Sequence, residues 1–168
     1  SAFTFSALLK LPADGNGAVF ARMNEDKNYR GYDFWLQNRS FGTHIVSVWP
    51  NNALKVVSDK QLEVNKWQHV VITYDGSSKA SGIKLYIDGN LVGNKVEQDS
   101  LNDSILTESP FKIGSRSKTS HFKGELDELR IYDRALGVDE IKSIGGDPIK
   151  SLLAVSYTHL TLPTNREV

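Results

Sequence analysis

The residues best suited to chemistry in this chain are an aromatic side chain and its polar neighbours. Around it the sequence runs Tyr32-Asp33-Phe34-Trp35-Leu36-Gln37. In a strand, successive side chains point to opposite faces, so Tyr32, Phe34 and Leu36 share one face while Asp33, Trp35 and Gln37 share the other. A solvent-facing indole flanked by polar groups suits a sugar ring, which presents apolar C–H faces and hydroxyl edges. His44, Trp49 and the charged loop 22–30 are placed in the chain to join it. Trp35, Asp33, Gln37 and His44 are therefore the candidate ligand-binding residues. The alternative is that Trp35 packs under a loop or against a neighbouring domain.

Other chemistries have less to stand on. His44, His69 and His121 show no metal-ligand spacing. Neither a nucleophile elbow nor a phosphate-binding glycine loop is present. Trp67 and His69 open an apolar run, where a core role is expected for the indole and a satisfied sheet position for the imidazole. Asn38-Arg39-Ser40 and Asn102-Asp103-Ser104 match the glycosylation tripeptide.

The elements that must hold these residues are strands. Phe3, Phe5, Ala7, Leu9 and Leu11 alternate with Thr4, Ser6 and Lys10. Short strands follow at 18–22, 31–37, 41–49 and 53–57, with turn residues between them. Residues 67–92 form the organising meander. In it, 68–74 is a strand rich in β-branched and aromatic residues, and Ile83, Leu85 and Ile87 alternate into Asp88-Gly89. A type I′ turn at Asp88-Gly89 pairs Ile87 with Asn90 and Leu85 with Val92. Residues 94–110 read as a polar, irregular connection, and 111–115 and 122–132 as the last strands. Leu126, Leu129 and Ile131 break strict alternation, which predicts a β-bulge at Asp127-Glu128. The helical candidate is 138–144, with Gly137 as N-cap, Asp139 and Glu140 in the first turn and Gly145-Gly146 ending it. About ten short strands make an all-β antiparallel sandwich with one short C-terminal helix.

The run Trp67-Gln68-His69-Val70-Val71-Ile72-Thr73-Tyr74-Asp75-Gly76, followed by Lys84-Leu85-Tyr86-Ile87-Asp88-Gly89, resembles the signature of laminin-G-like jelly-roll domains. These belong to the concanavalin-A-like lectin and glucanase superfamily. Phe3-Thr4-Phe5-Ser6-Ala7 resembles an early strand of that family. Phe111-Lys112-Ile113-Gly114, Gly124 to Tyr132 and Ala135-Leu136 resemble its closing strands. The resemblance implies a concanavalin-A-like jelly roll. Because such folds host binders, spacers and enzymes alike, function has to be argued from the site.

The resemblance gives Glu125-Leu126-Asp127-Glu128 two further readings. Glycosidases of the superfamily carry alternating acids, Glu-x-Asp-x-Glu or with one further residue before the last Glu, which sets two carboxylates at the short separation of retaining hydrolysis. Here the third position falls on Leu129 or Arg130, so the acid/base is missing. Jelly-roll relatives also use an acid near this point for a structural calcium, which takes six to eight oxygens. The rest of such a site would lie before Ser1, making Asp127 the candidate metal ligand and calcium the candidate cofactor. The bland reading of Asp127 is a rim carboxylate paired with a surface cation.

The 168-residue chain has about the length of one domain. Its 20 Lys+Arg balance 20 Asp+Glu, which argues against a nucleic-acid partner. No apolar run is long enough to span a membrane. Cysteine is absent, which leaves the redox compartment open, since a domain of this size builds a core without disulfides. The domain is expected over 1–146, truncated at its N-terminus. Residues 147–168 form a tail, of which Val155 to Thr164 resembles a translated sequencing-library adapter, so about 154–168 is set aside as non-native. The chain is thus expected to be a fragment of a longer protein. The functional expectation is a non-catalytic binding or adhesion module of an extracellular, periplasmic or cell-surface protein. Its ligand would be a carbohydrate or a protein, with other domains of the parent chain as neighbours. A ligand-free structural spacer is the alternative, and a glycoside hydrolase stands third.

Overall fold

The computed structural model describes residues 1–145. The expected tail 147–168, its adapter-like part and Gly146 lie outside these residues. The described residues form eleven strands and one α-helix: β1 (Phe3–Lys10), β2 (Gly17–Asn24), β3 (Arg30–Gln37), β4 (Ser40–Val48), β5 (Asn52–Gln61), β6 (Gln68–Tyr74), β7 (Ile83–Ile87), β8 (Asn90–Val92), β9 (Asn94–Asp99), β10 (Lys112–Ile113), β11 (Glu125–Tyr132) and α1 (Val138–Ile144). Two antiparallel sheets stack as a sandwich. One has the order β11-β1-β6-β7-β8 and the other β10-β2-β3-β4-β5-β9.

Alternation decides what each sheet buries. Phe5, Leu9, Val70, Ile72 and Leu85 from the first sheet meet Phe20, Phe34, Leu36, Ile45 and Val56 from the second. Each of these is buried, and burying one such side chain stabilises by about 1.5–3 kcal/mol. Aromatic edges fill the middle: the Phe5 and Phe20 rings lie 4.7 Å apart at 90°. β6 is buried along its whole length. The outer faces of β6 and β7 are closed by α1 and the residues just before it, through Val71 and Tyr86 against Leu136 and Ile141.

Several expectations hold residue by residue. Ile87 pairs with Asn90 and Leu85 with Val92, around Asp88 and Gly89 with φ of 50° and 78°. The helix spans Val138–Ile144 after Gly137. The bulge in β11 is present one residue later than expected, at Glu128-Leu129: Ser6 pairs with Arg130 and Leu8 with Asp127, so Glu128 and Leu129 both face Ala7. One of them, Glu128, has φ of 50°.

Others need correction. Residues 94–99, expected as irregular, form edge strand β9 beside β5; their polar sequence suits an edge open to water. The hairpin tip is only half exposed, since Gly89 is buried and a Cβ there would stand 3.4 Å from Lys142 of α1. Trp67 is 43% exposed rather than in the core. The strand starts at Gln68 as expected, and the indole just before it lies 6.0 Å from the Lys10 ammonium. His69 donates to or accepts from Ser6 Oγ through Nε2 at 2.7 Å, but its Nδ1 has no hydrogen-bond partner among the described residues.

Candidate functional site

On the outer face of the six-stranded sheet, cross-strand pairing lines up Asp33, His44 and Lys55 on β3, β4 and β5. These are the positions whose neighbours along each strand point into the core. Asp33 is fully buried, and its carboxylate is used completely. Oδ1 accepts from the His44 backbone N–H at 2.9 Å and meets His44 Nδ1 at 3.0 Å. Oδ2 accepts from Arg116 Nε at 2.8 Å and Arg116 Nη2 at 2.6 Å. Burial alone would raise the Asp33 pKa, but the facing His44 and Arg116 charges and the hydrogen bonds hold it down at about 2.

Arg116 reaches this carboxylate from the segment between β10 and β11. Its guanidinium carbon lies 5.8 Å from the Tyr29 ring and 5.8 Å from the Trp35 ring, within cation–π range. The Lys55 ammonium lies 4.9 Å from the Trp35 ring and 5.9 Å from that of Trp49, and pairs with Glu97 of β9 at 2.7 Å. His44 stands edge-on between the two tryptophans, 4.9 Å from Trp35 and 5.4 Å from Trp49. The result is a cleft of about 360 Å³ lined by Met23, Tyr29, Trp35, His44, Val46, Trp49, Lys55 and Arg116.

The loop that carries Arg116 is itself clamped. The 3₁₀ turn Glu25–Lys27 is capped by Asn24, whose side chain accepts from the Asp26 and Lys27 N–H groups. Its Glu25 carboxylate accepts from Ser117 Oγ at 2.8 Å and the Thr119 N–H at 3.2 Å, and also from the Lys118 N–H and Thr119 Oγ1. Partial burial raises the Glu25 pKa, but these donors outweigh it and the net shift is downward.

The candidate residues thus separate. Trp35 and His44 line the cleft. Trp35 is half-buried rather than fully open, because cations and His44 pack on it. Asp33 is not a surface group: with no exposure it sits beneath the cleft and orients Arg116 and His44. Gln37 is exposed where β3 ends, opposite Ser40, and is not part of the lining. The pattern did not single out Arg116, Lys55 or Tyr29. Lys55 was within reach, since it alternates with Leu54 and Val56. Tyr29 sits in the charged loop already noted. Arg116 carries no local signal, because only tertiary folding sets it against Asp33.

The acid run lies on the other sheet. Glu125 pairs with Lys10 at 3.0 Å and Glu128 pairs with Arg130. Asp127 is exposed, and its carboxylate accepts from the neighbouring Glu128 N–H at 2.7 Å. Among the described residues, no group of three or more His, Asp or Glu side chains could hold a metal ion.

A larger hollow of about 800 Å³ opens at the sandwich edge beside Phe3, Tyr32, Tyr74, Leu101 and Ile131. The smaller cleft is the stronger candidate despite its size, since it unites two indoles with anchored cations. Among the described residues, no helix is long and apolar enough to cross a membrane.

The sequence and fold can be set beside known proteins. A family model described as the concanavalin A-like lectin/glucanases superfamily matches residues 1–142. The fold is similar to the CBM40 module of the Ruminococcus gnavus IT-sialidase, a structure solved with α2,3-sialyllactose. That likeness has a TM-score of 0.67 at 16% identity and covers 86% of this chain and 83% of that one. It is also similar to the binding domain of Paraclostridial mosquitocidal protein 1, with a TM-score of 0.63 at 21% identity, over 86% of this chain and 37% of that one. The botulinum neurotoxin serotype G binding domain gives a TM-score of 0.57 at 15% identity, over 86% and 36%. At identities this low the likenesses speak for the fold alone.

Proposed function

The chain belongs to the concanavalin A-like lectin/glucanases superfamily, and from that premise we propose that it is a non-catalytic carbohydrate-binding module acting outside the cell or at its surface. The observation that carries this reading is the cleft in which Trp35 and Trp49 flank His44 under two anchored cations. An indole face gives a sugar ring an apolar platform, and the surrounding N–H donors meet its oxygens. The similar fold that carries sialyllactose in its own structure supports a sugar ligand. The acid run supports the non-catalytic part, because it lies on a different sheet from the cleft and has Leu129 or Arg130 where the glycosidase pattern needs its last acid. A structural-spacer reading has no observation in its favour that the cleft does not answer better.

The test is a glycan array read with the native protein and with Trp35→Ala. Native protein is expected to bind a defined glycan set. Trp35→Ala should lose at least tenfold in affinity, while stability falls by less than about 2 kcal/mol because the indole is only partly covered. A variant that binds as well as native protein refutes the cleft. A loss of about 3 kcal/mol or more makes Trp35 a packing residue instead.

A further inference from the structure

We infer that the ligand of this cleft is an anionic sugar, one bearing a carboxylate or sulfate, and that Arg116 reads the negative group. The inference rests on the carbohydrate-binding reading and narrows it.

Among the described residues, the wall of the cleft contains the cations Lys55 and Arg116 and no carboxylate. The acids that hold these cations act from elsewhere. Asp33 is buried with both oxygens occupied, and Glu97 approaches Lys55 from edge strand β9. A neutral sugar hydroxyl both donates and accepts, so a site for neutral sugars needs acceptors in its wall. This wall is rich in charged donors, the guanidinium and the ammonium. A ligand with surplus acceptor oxygens and a negative charge matches it, through charge-assisted hydrogen bonds.

Arg116 is built for this role. Nε and Nη2 are committed to Asp33, and Nη1 makes no hydrogen bond among the described residues. Tyr29 and Trp35 stand near the guanidinium at equal distances, and its side chain is only 12% exposed. The guanidinium is therefore held in place before any ligand arrives, which removes most of the ordering cost of a planar anion contact. A sugar on Trp35 would bring its charged substituent beside that group.

The experiment is titration calorimetry with lactose, α2,3-sialyllactose and 3′-sulfated lactose, backed by an array holding neutral and acidic forms of other glycans. Acidic members should bind at least tenfold tighter than their neutral parents, with affinity falling as salt rises. Selective binding of the sialylated form identifies the carboxylate as the recognised group, and of the sulfated form the sulfate. The double variant Asp33→Asn/Arg116→Gln, which avoids a stranded buried charge, should reduce the preference to about twofold. Lys55→Gln, on the edge of the network, should weaken acidic ligands several-fold more than neutral ones, and it serves if the double variant fails to fold. Equal affinity for neutral and acidic partners overturns the anionic assignment but leaves the glycan reading intact. A full preference retained in both variants overturns the role of these cations. No binding to any glycan defeats the underlying reading, and this one with it.

Discussion

Asp33 sets the electrostatics of the cleft without touching its surface. A buried carboxylate is tolerated only when paired and fully hydrogen-bonded, and Arg116 with His44 supply both. The sign of its pH dependence follows. Its pKa is lowered from 3.8 to about 2 on folding, so the unfolded chain binds the proton more readily than the native one. The stabilisation is complete above about pH 4 and is lost as pH falls towards 2. The amount is on the order of 2 kcal/mol, from about 1.4 kcal/mol per pKa unit. Urea unfolding of native protein between pH 5 and pH 2 should show this acid limb, and the double variant Asp33→Asn/Arg116→Gln should flatten it. An unchanged limb in the variant would assign acid lability to other carboxylates. Sequence alternation put Asp33 on the outer face correctly, but could not tell an exposed acid from one covered by a residue 83 positions away.

At the scale of elements, the strands were legible where alternation and turn chemistry agreed. The meander 68–92, its Asp88-Gly89 tip and the core stripe of β3 are local patterns, and the structure reproduces them. β9 was not legible, because an exposed edge strand of polar residues has no apolar face to betray it. The element that matters most to the cleft is the short 3₁₀ turn at Glu25–Lys27, whose glutamate gathers the donors of residues 117–119 beside Arg116. Nothing in the sequence links positions so far apart. Glu25→Ala should therefore loosen that segment. The expected outcome is a several-fold drop in glycan affinity, roughly 1 kcal/mol, with faster amide exchange at Lys118 and Thr119 and little change in core amides. Unchanged affinity together with unchanged exchange would mean the clamp does not position Arg116.

For the whole molecule, the sandwich keeps its two outer faces for different purposes. The five-stranded sheet is closed by α1 over Val71 and Tyr86, whereas the six-stranded sheet leaves Trp35, His44 and Trp49 around an open cleft. The third tryptophan, Trp67, lies just before β6 of the other sheet and is exposed. The chain therefore contains its own control for where a ligand lands. The most direct measurement is a ¹H–¹⁵N spectrum of the three indole N–H groups during titration with the tightest glycan from the array. The account predicts saturable shifts for Trp35 and Trp49 with one shared Kd, and a stationary Trp67 signal. Movement of Trp67 with Trp35 and Trp49 unmoved would contradict it.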